Sequence, residues 1–180
     1  MKKDEDLIAM FLGGSTQAFT DLVRRYERMV YNTAFSMVGD RESARDITQE
    51  AFLRTLKGLA CLKNPPSFRP WLLQITSNLV KDSLRRKKGE TDSMDPEENV
   101  PSHEREAFQV LSSLQEKERL RGALNLLPDR QRMAIVLRVY SELSFREVAF
   151  AMGCRPATAR SLFWVGVKRL RRILGEGHDL

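Results

Sequence analysis

Beyond Pro156, the residues Arg160, Ser161, Trp164, Lys168 and Arg171 recur at spacings that place them on one face of a helix. Cations, a hydroxyl and an aromatic ring on one helical face suit a nucleic acid. A helix fits the major groove, its first side chains reach base edges, and flanking cations hold phosphates. Residues 155–172 carry Arg155, Arg160, Lys168, Arg169, Arg171 and Arg172 and no acid. A second segment has related chemistry. Gln74, Ser77, Asn78, Lys81 and Arg85 share a face, and residues 69–88 hold Arg69, Lys81, Arg85, Arg86, Lys87 and Lys88 against the single acid Asp82. The stretch just before it, residues 64–70, is a candidate rim for an unstacked base, which needs a pocket and a stacking or polar edge. A solvated amphipathic helix fits the same pattern. A third face is acidic: Asp46, Gln49, Glu50, Leu53 and Lys57 fall at i, i+3, i+4, i+7 and i+11. In a basic protein this face, centred on an apolar residue, reads either as a surface for another protein or as ordinary solvated helix.

Chemistry of other kinds lacks its residues. No paired-carboxylate cleft, nucleophile–base motif or phosphate-binding glycine loop is present, so the chain does not read as an enzyme. Cys61 and Cys154 lie far apart without a CxxC partner, and His103 and His178 are isolated. Neither a metal site, a cofactor nor a disulfide framework is expected, and both cysteines suit small buried apolar roles in a reducing cytoplasm. Lys and Arg number 30 against 24 acids, a net charge of +6, which favours a polyanionic partner. The longest apolar run, from Leu7 to Leu12, is far too short to insert in a membrane. Asp4, Glu5 and Asp6 sit where a secretory leader would be cationic.

These faces need helices to carry them. The apolar pattern has helical period almost throughout, as in Phe19, Leu22, Val23, Tyr26, Met29, Val30 and Thr33, and no window alternates as a strand would. The expected fold is all-α, with helices near 4–12, 16–38, 41–59, 68–87, 105–127, 129–141, 144–152 and 156–174. Gly13-Gly14, Gly39-Asp40 and Pro65-Pro66 mark the breaks; Ser15 or Thr16, and Ser67, are plausible caps, and Pro128 suits a first helical turn. The segment GETDSMDPEENVP, with two prolines and five acids, reads as a flexible linker. Two small helical domains result, 1–89 and 105–180, joined by an acidic tether at 90–104. In the first, Trp71, Leu72, Ile75 and Leu79 form a buried stripe, leaving Gln74, Ser77, Asn78, Lys81 and Arg85 outward. The second contains a helix-turn-helix. Ser144 caps a short helix burying Val148, Ala149 and Met152, Gly153 makes the turn, and Pro156 opens a long helix packed through Ala159, Phe163, Gly166, Leu170 and Ile173. Trp164 either faces a thymine methyl or a protein ligand, or lies half-buried against the sixth helix.

Three blocks carry a resemblance. DRESARDITQEAFLRTLK, FRPWLLQITSNLVKDSLRRKK and LNLLPDRQRMAIVLRVYSELSFREVAFAMGCRPATARSLFWVGVKRLRRIL are similar, in order and spacing, to the signature blocks of extracytoplasmic-function sigma factors of the sigma-70 family. These are non-catalytic subunits that direct bacterial RNA polymerase to promoters and help to melt them. The resemblance implies that Asp46, Gln49, Glu50, Phe52 and Leu53 dock on the clamp helices of the polymerase's largest subunit, with the flap as a further contact. It implies minus-ten contacts from Arg69, Trp71, Asn78, Lys81, Arg85 and Arg86, with Arg69 and Trp71 in and after a base-capturing loop. It assigns the minus-thirty-five element to Arg155, Thr158, Arg160, Ser161, Trp164, Lys168 and Arg171. Double- and single-stranded promoter DNA and an anti-sigma factor are the other implied partners. Leu162 and Val165 stand where the family often has a basic residue, which predicts a shallower salt dependence, and Pro70 stiffens the base-capturing loop. Two competing readings are a one-component regulator that binds DNA as a dimer and a helical adaptor with no DNA role.

Overall fold

The computed structural model describes residues 2–59, 68–90 and 118–175, all of whose regular structure is α-helical. The helices are α1 (Asp4–Leu12), α2 (Thr16–Val38), α3 (Arg41–Leu59), α4 (Phe68–Glu90), α5 (118–125), α6 (Asp129–Val139), α7 (Phe145–Met152) and α8 (Pro156–Leu174). The all-α expectation holds. Cys61, residues 64–67 of the candidate rim, the Pro65-Pro66 break, the Ser67 cap, both histidines, most of the acidic tether and residues 105–117 of the expected fifth helix lie outside the described residues.

Local signals end the helices where the sequence marks them. Gly39 takes φ 78°, a left-handed value that costs glycine little, and closes α2. Asp40 follows as the cap of α3, its carboxylate accepting from the Ser43 N–H at 2.9 Å. The same carboxylate accepts from Lys87 Nζ at 2.7 Å, tying the start of α3 to the far end of α4. The Lys87 bond, then those from Ser43, hold the Asp40 carboxyl well below its ordinary value of 3.8. A depressed folded-state value means a contribution present above 3.8 and lost as pH falls through and below it. Asp40→Asn should therefore lower the Tm at neutral pH, and its gap from wild type should close in melts below pH 3.8.

In the N-terminal unit, α2 is the central helix. Leu22, Val30, Ala34 and Met37 are buried against α1, α3 and α4. Arg25 and Tyr26 both donate to Asp4, fastening α1 across α2; burial first, then the bond to Asp4, pushes the Tyr26 hydroxyl above its ordinary range. The face of α3 opposite Asp46 and Glu50 is buried as Ala44, Ile47, Ala51 and Thr55. At the end of α3, Gly58 admits the Trp71 ring, for a Cβ there would meet the indole at 2.9 Å. Trp71 also packs on Phe68 at 6.1 Å between centroids, so half-burial of this large ring anchors α4 on α3.

In the C-terminal unit, Arg132 fixes the α5–α6 junction through Asn125 Oδ1 at 2.8 Å and Asp129 Oδ1 at 3.0 Å. Pro128 is the cap residue of α6, one position before the first turn, because its fixed φ of −53° goes with an extended ψ of 138°. Gly166 is buried where α8 crosses α6, and a Cβ there would crowd Ile135 Cδ1 at 3.0 Å and Gln131 Cβ at 3.2 Å. That close approach sets the roll of α8.

The two units are docked, α7 on α4 and α6 on α2, and their buried residues join in one apolar core. Here the expected outward face of α4 is corrected. Ser77 is fully buried beside Met133, and Gln74 is half-buried, because the C-terminal unit covers this edge. Four smaller differences follow. Helix α4 begins at Phe68, so Arg69 and Pro70 stand in its first turn, where Pro70 loses no needed hydrogen bond. Gly89 and Glu90, expected in the linker stretch, continue α4. Helix α6 ends at Val139 rather than 141. Ile173 is exposed.

Candidate nucleic-acid and protein-docking surfaces

The helix-turn-helix forms as its sequence dictates. The Ser144 hydroxyl accepts from Glu147 N–H at 3.3 Å while the Glu147 carboxylate accepts from Ser144 N–H at 2.8 Å, a reciprocal cap. Burial opposes the Glu147 charge, yet the Ser144 bonds and the nearby Arg69 charge hold its carboxyl below the ordinary range. Val148, Ala149 and Met152 are buried, and Gly153 turns the chain at φ 65°. Pro156 starts α8 without leaving a donor unpaired.

On α8, Arg155, Arg160, Ser161, Trp164, Lys168 and Arg171 are exposed and Thr158 is half-buried at the N-terminal end. Trp164 is 58% exposed, touching Phe163 edge-on at 5.2 Å, rather than lying against the sixth helix. Periodicity missed one residue of this surface. Phe145 lies under two guanidinium groups, Arg160 at 5.6 Å and Arg138 at 5.4 Å, and meets Phe163 edge-on at 5.5 Å. A guanidinium over a ring face is held in place by the ring quadrupole, which aims Arg160 before any ligand arrives. Its sequence signal was faint: an aromatic at the first position of a capped helix. Val165 is 51% exposed and leaves an apolar gap in this cationic face.

On α4, Asn78, Arg85 and Arg86 are exposed, and Arg85 pairs with Asp82 at 3.2 Å. Lys81 is exposed yet donates to the Met152 carbonyl at 3.0 Å, and Arg69 donates to the Glu142 carbonyl at 3.3 Å. Trp71 is engaged in the packing on Gly58 and Phe68. The six residues expected on one surface are therefore divided between solvent, the core and the neighbouring unit.

On α3, Gln49, Phe52 and Leu53 line an open apolar groove of about 960 Å³. The groove's other wall is α2, with Phe19, Val23 and Tyr31. Phe19 and Val23 belong to the apolar pattern of α2, and Tyr31 stands outside it; α2 carries more apolar residues than its buried side consumes. Asp46 is exposed on the same helix, and Glu50 is partly exposed and paired with Arg54 at 2.7 Å. Groups of this kind bind and orient; among the described residues no set of three or more His, Cys, Asp or Glu could hold a metal ion. No described helix is long and apolar enough to cross a membrane.

The family model of sigma-70 region 2 matches residues 22–90, and that of sigma-70 region 4 matches residues 117–163. RNA polymerase sigma factor YlaC of Bacillus subtilis is 31% identical over 135 residues, covering 74% of this chain and 78% of that protein. The chain belongs to the extracytoplasmic-function sigma factors of the sigma-70 family. The ECF sigma factor SigW of Bacillus subtilis is 28% identical, with 89% of this chain and 91% of SigW aligned. SigE of Mycolicibacterium smegmatis is 31% identical over 161 residues, and this sigma factor spans 62% of its length. Two solved structures share the fold. One, of CnrH in complex with the cytosolic domain of CnrY, matches with a TM-score of 0.73 and 22% identity over 97% of this chain and 98% of that one. The other, of the sigma factor RpoE with the anti-sigma factor NepR from Bartonella quintana, matches at 0.71 and 20% over 91% and 100%. The sigma factor is thus a specificity subunit that directs RNA polymerase to promoters, not a catalyst.

Proposed function

We propose that the groove between α2 and α3, with Asp46, Gln49, Glu50, Phe52 and Leu53, docks this sigma factor on the clamp helices of core polymerase. The trough is mainly apolar, with Glu27, Arg28 and Arg45 also in its lining, and Asp46 and Glu50 stand on the same helix outside the lining, where they suit basic groups flanking an apolar ridge of the partner. Helix α4 meets the minus-ten element through Arg69, Asn78, Lys81, Arg85 and Arg86, with the half-buried Trp71 anchoring the helix that carries them. Helix α8 reads the minus-thirty-five element through Arg155, Thr158, Arg160, Ser161, Trp164, Lys168 and Arg171. The observation that carries this reading is α8 itself: its acid-free polar face stands clear of the core, with the Arg160 guanidinium over the Phe145 ring.

Binding is bivalent. Each unit offers DNA one small module, and carriage by polymerase turns the second contact into an intramolecular one. Melting follows from trapping unpaired minus-ten bases, which offsets an unstacking cost of a few kcal/mol. The acidic stretch at 90–104 acts as the tether between domains 1–89 and 105–180. Action is in the cytoplasm, where core polymerase and promoters meet. An anti-sigma factor holds the free subunit inactive, a reading supported by the relation to RpoE, which was solved with such a partner.

Added to core polymerase, the protein should start transcripts at a new set of promoters and should shift promoter DNA only weakly when alone. Asn78→Ala, at an exposed site with no side-chain hydrogen bond to another described residue, should depress open-complex formation at least ten-fold more than closed-complex binding, as measured by permanganate reactivity against footprinting. Equal loss in both would remove the melting role of α4.

A further inference from the structure

One acid stands on the cationic face of α4. Asp82 is the single carboxylate of residues 69–88 and belongs neither to the core nor to the α2–α3 groove. Asn78, Asp82 and Arg85 lie at i, i+4 and i+7, one outward ridge, so Asp82 sits between two residues assigned to the minus-ten element. The opposite side of the helix, with Leu72, Thr76, Val80 and Ser83, is buried. Asp82 Oδ1 accepts from Arg85 Nη2 at 3.2 Å, with the two side chains 48% and 82% exposed. An exposed pair of this kind adds little to stability, because water solvates both groups and salt screens them. The second carboxylate oxygen, Oδ2, has no hydrogen bond to another described residue.

A carboxylate in this place works against non-specific binding. Phosphate and deoxyribose oxygens accept hydrogen bonds, as a carboxylate does, and the phosphates also repel its charge. In DNA the donors are on the bases. A carboxylate takes an exocyclic amine, as it does cytosine N4 in the major groove, and an unpaired base offers its whole Watson–Crick edge. Arg85 stands beside Asp82 with donors to spare, since only Nη2 of its guanidinium is engaged. The pair thus presents an acceptor next to a donor. That order complements the N4 amine and N3 of cytosine, or the N6 amine and N1 of adenine. Thymine reverses the order and sets O4 against the carboxylate. Repulsion of the wrong partner beside attraction of the right one is how a surface gains selectivity.

We propose that Asp82 is a specificity-determining residue of this sigma factor: with Arg85 it reads the amine edge of one unpaired minus-ten base, cytosine or adenine, and turns thymine away. The inference rests on the assignment of α4 to the minus-ten element and adds to it the kind of base edge that the helix selects. Asn78 and Arg85 supply grip on either side, and the lone acid between them supplies the choice.

The test uses holoenzyme made with the full chain, on a promoter from which it initiates. Each minus-ten position carries in turn the natural bases and, in place of cytosine or adenine, 2-pyrimidinone or purine, which lack the amine. Open-complex formation is measured. With wild type, one position should lose about ten-fold with thymine and about as much with the amine-free analogue. The analogue that causes the loss identifies the base as cytosine or adenine. Asp82→Ala should level that position to within about two-fold and leave the others unchanged. Asp82→Asn, which keeps the bulk and adds donors, should admit thymine there. On non-promoter DNA, Asp82→Ala should bind more tightly and Arg85→Ala more weakly. A merely structural ion pair predicts the same direction for both, since either variant breaks it. An amine-free base tolerated by wild type at every position, or penalised equally with Asp82→Ala, overturns the proposal. Failure of the α4 reading shows differently: Asn78→Ala and Arg85→Ala would then leave open-complex formation unchanged. If those two respond and Asp82→Ala alters no base preference, the inference about Asp82 alone falls.

Discussion

Replacing Asp46 and Glu50 together by lysine should weaken association with core polymerase at least 100-fold while leaving the fold intact. Reversing two charges at an interface sets like charges against the partner, which costs several kcal/mol, and each 1.4 kcal/mol is a factor of about ten. The fold has little to lose. Asp46 is exposed, and the Glu50–Arg54 pair is a surface i,i+4 bridge worth about 0.3–0.5 kcal/mol. The core side of α3, from Ala44 to Thr55, lies opposite. Leu53→Asp is the apolar counterpart: Leu53 is 50% exposed on the groove, so a carboxylate there is solvated in the free protein and buried only on docking. Pull-down with core polymerase beside a thermal melt distinguishes the outcomes. An unchanged Tm with unchanged association would detach polymerase from this groove.

Arg160→Ala should cost ~1–3 kcal/mol in recognition of the upstream element, about 5- to 150-fold, if the guanidinium makes a bidentate contact with a base. The structure adds a graded control. Phe145 lies beneath both Arg160 and Arg138, so Phe145→Leu keeps apolar bulk while removing the ring face that holds them. That variant should lose part of the Arg160 effect, and combined with Arg160→Ala it should lose less than the sum, because the two act through one contact. Binding of holoenzyme to a panel of upstream sequences is the measurement. Loss at one base position identifies base reading. An even loss across sequences, with a salt slope lower by about one, would make Arg160 a phosphate contact instead.

Much of α8 was legible because its determinants are local. Ser144 with Glu147, Gly153 and Pro156 are a cap, a left-handed turn and a first-turn proline, each acting within a few residues. The polar face followed from 100° per residue once those ends were known. The α2–α3 groove was half legible: α3 showed its mixed face, but nothing in α2 separates Leu22, which is buried, from Phe19 and Val23, which line the groove. Apolar type reports a preference for leaving water and not which neighbour provides the shelter.

The amino-acid order alone determined the helical character of the described residues, most of their helix ends and two cationic segments, since caps, proline and period operate through adjacent backbone. Tertiary structure alone decided that Ser77 is in the core, that Lys81 and Gln74 end on α7, and that Trp71 belongs to Gly58. A polar residue tells only that it needs a partner. Water, phosphate and a free carbonyl at the end of a helix satisfy a lysine by the same chemistry, and the choice among them depends on which surfaces the folded chain brings within 3 Å of it.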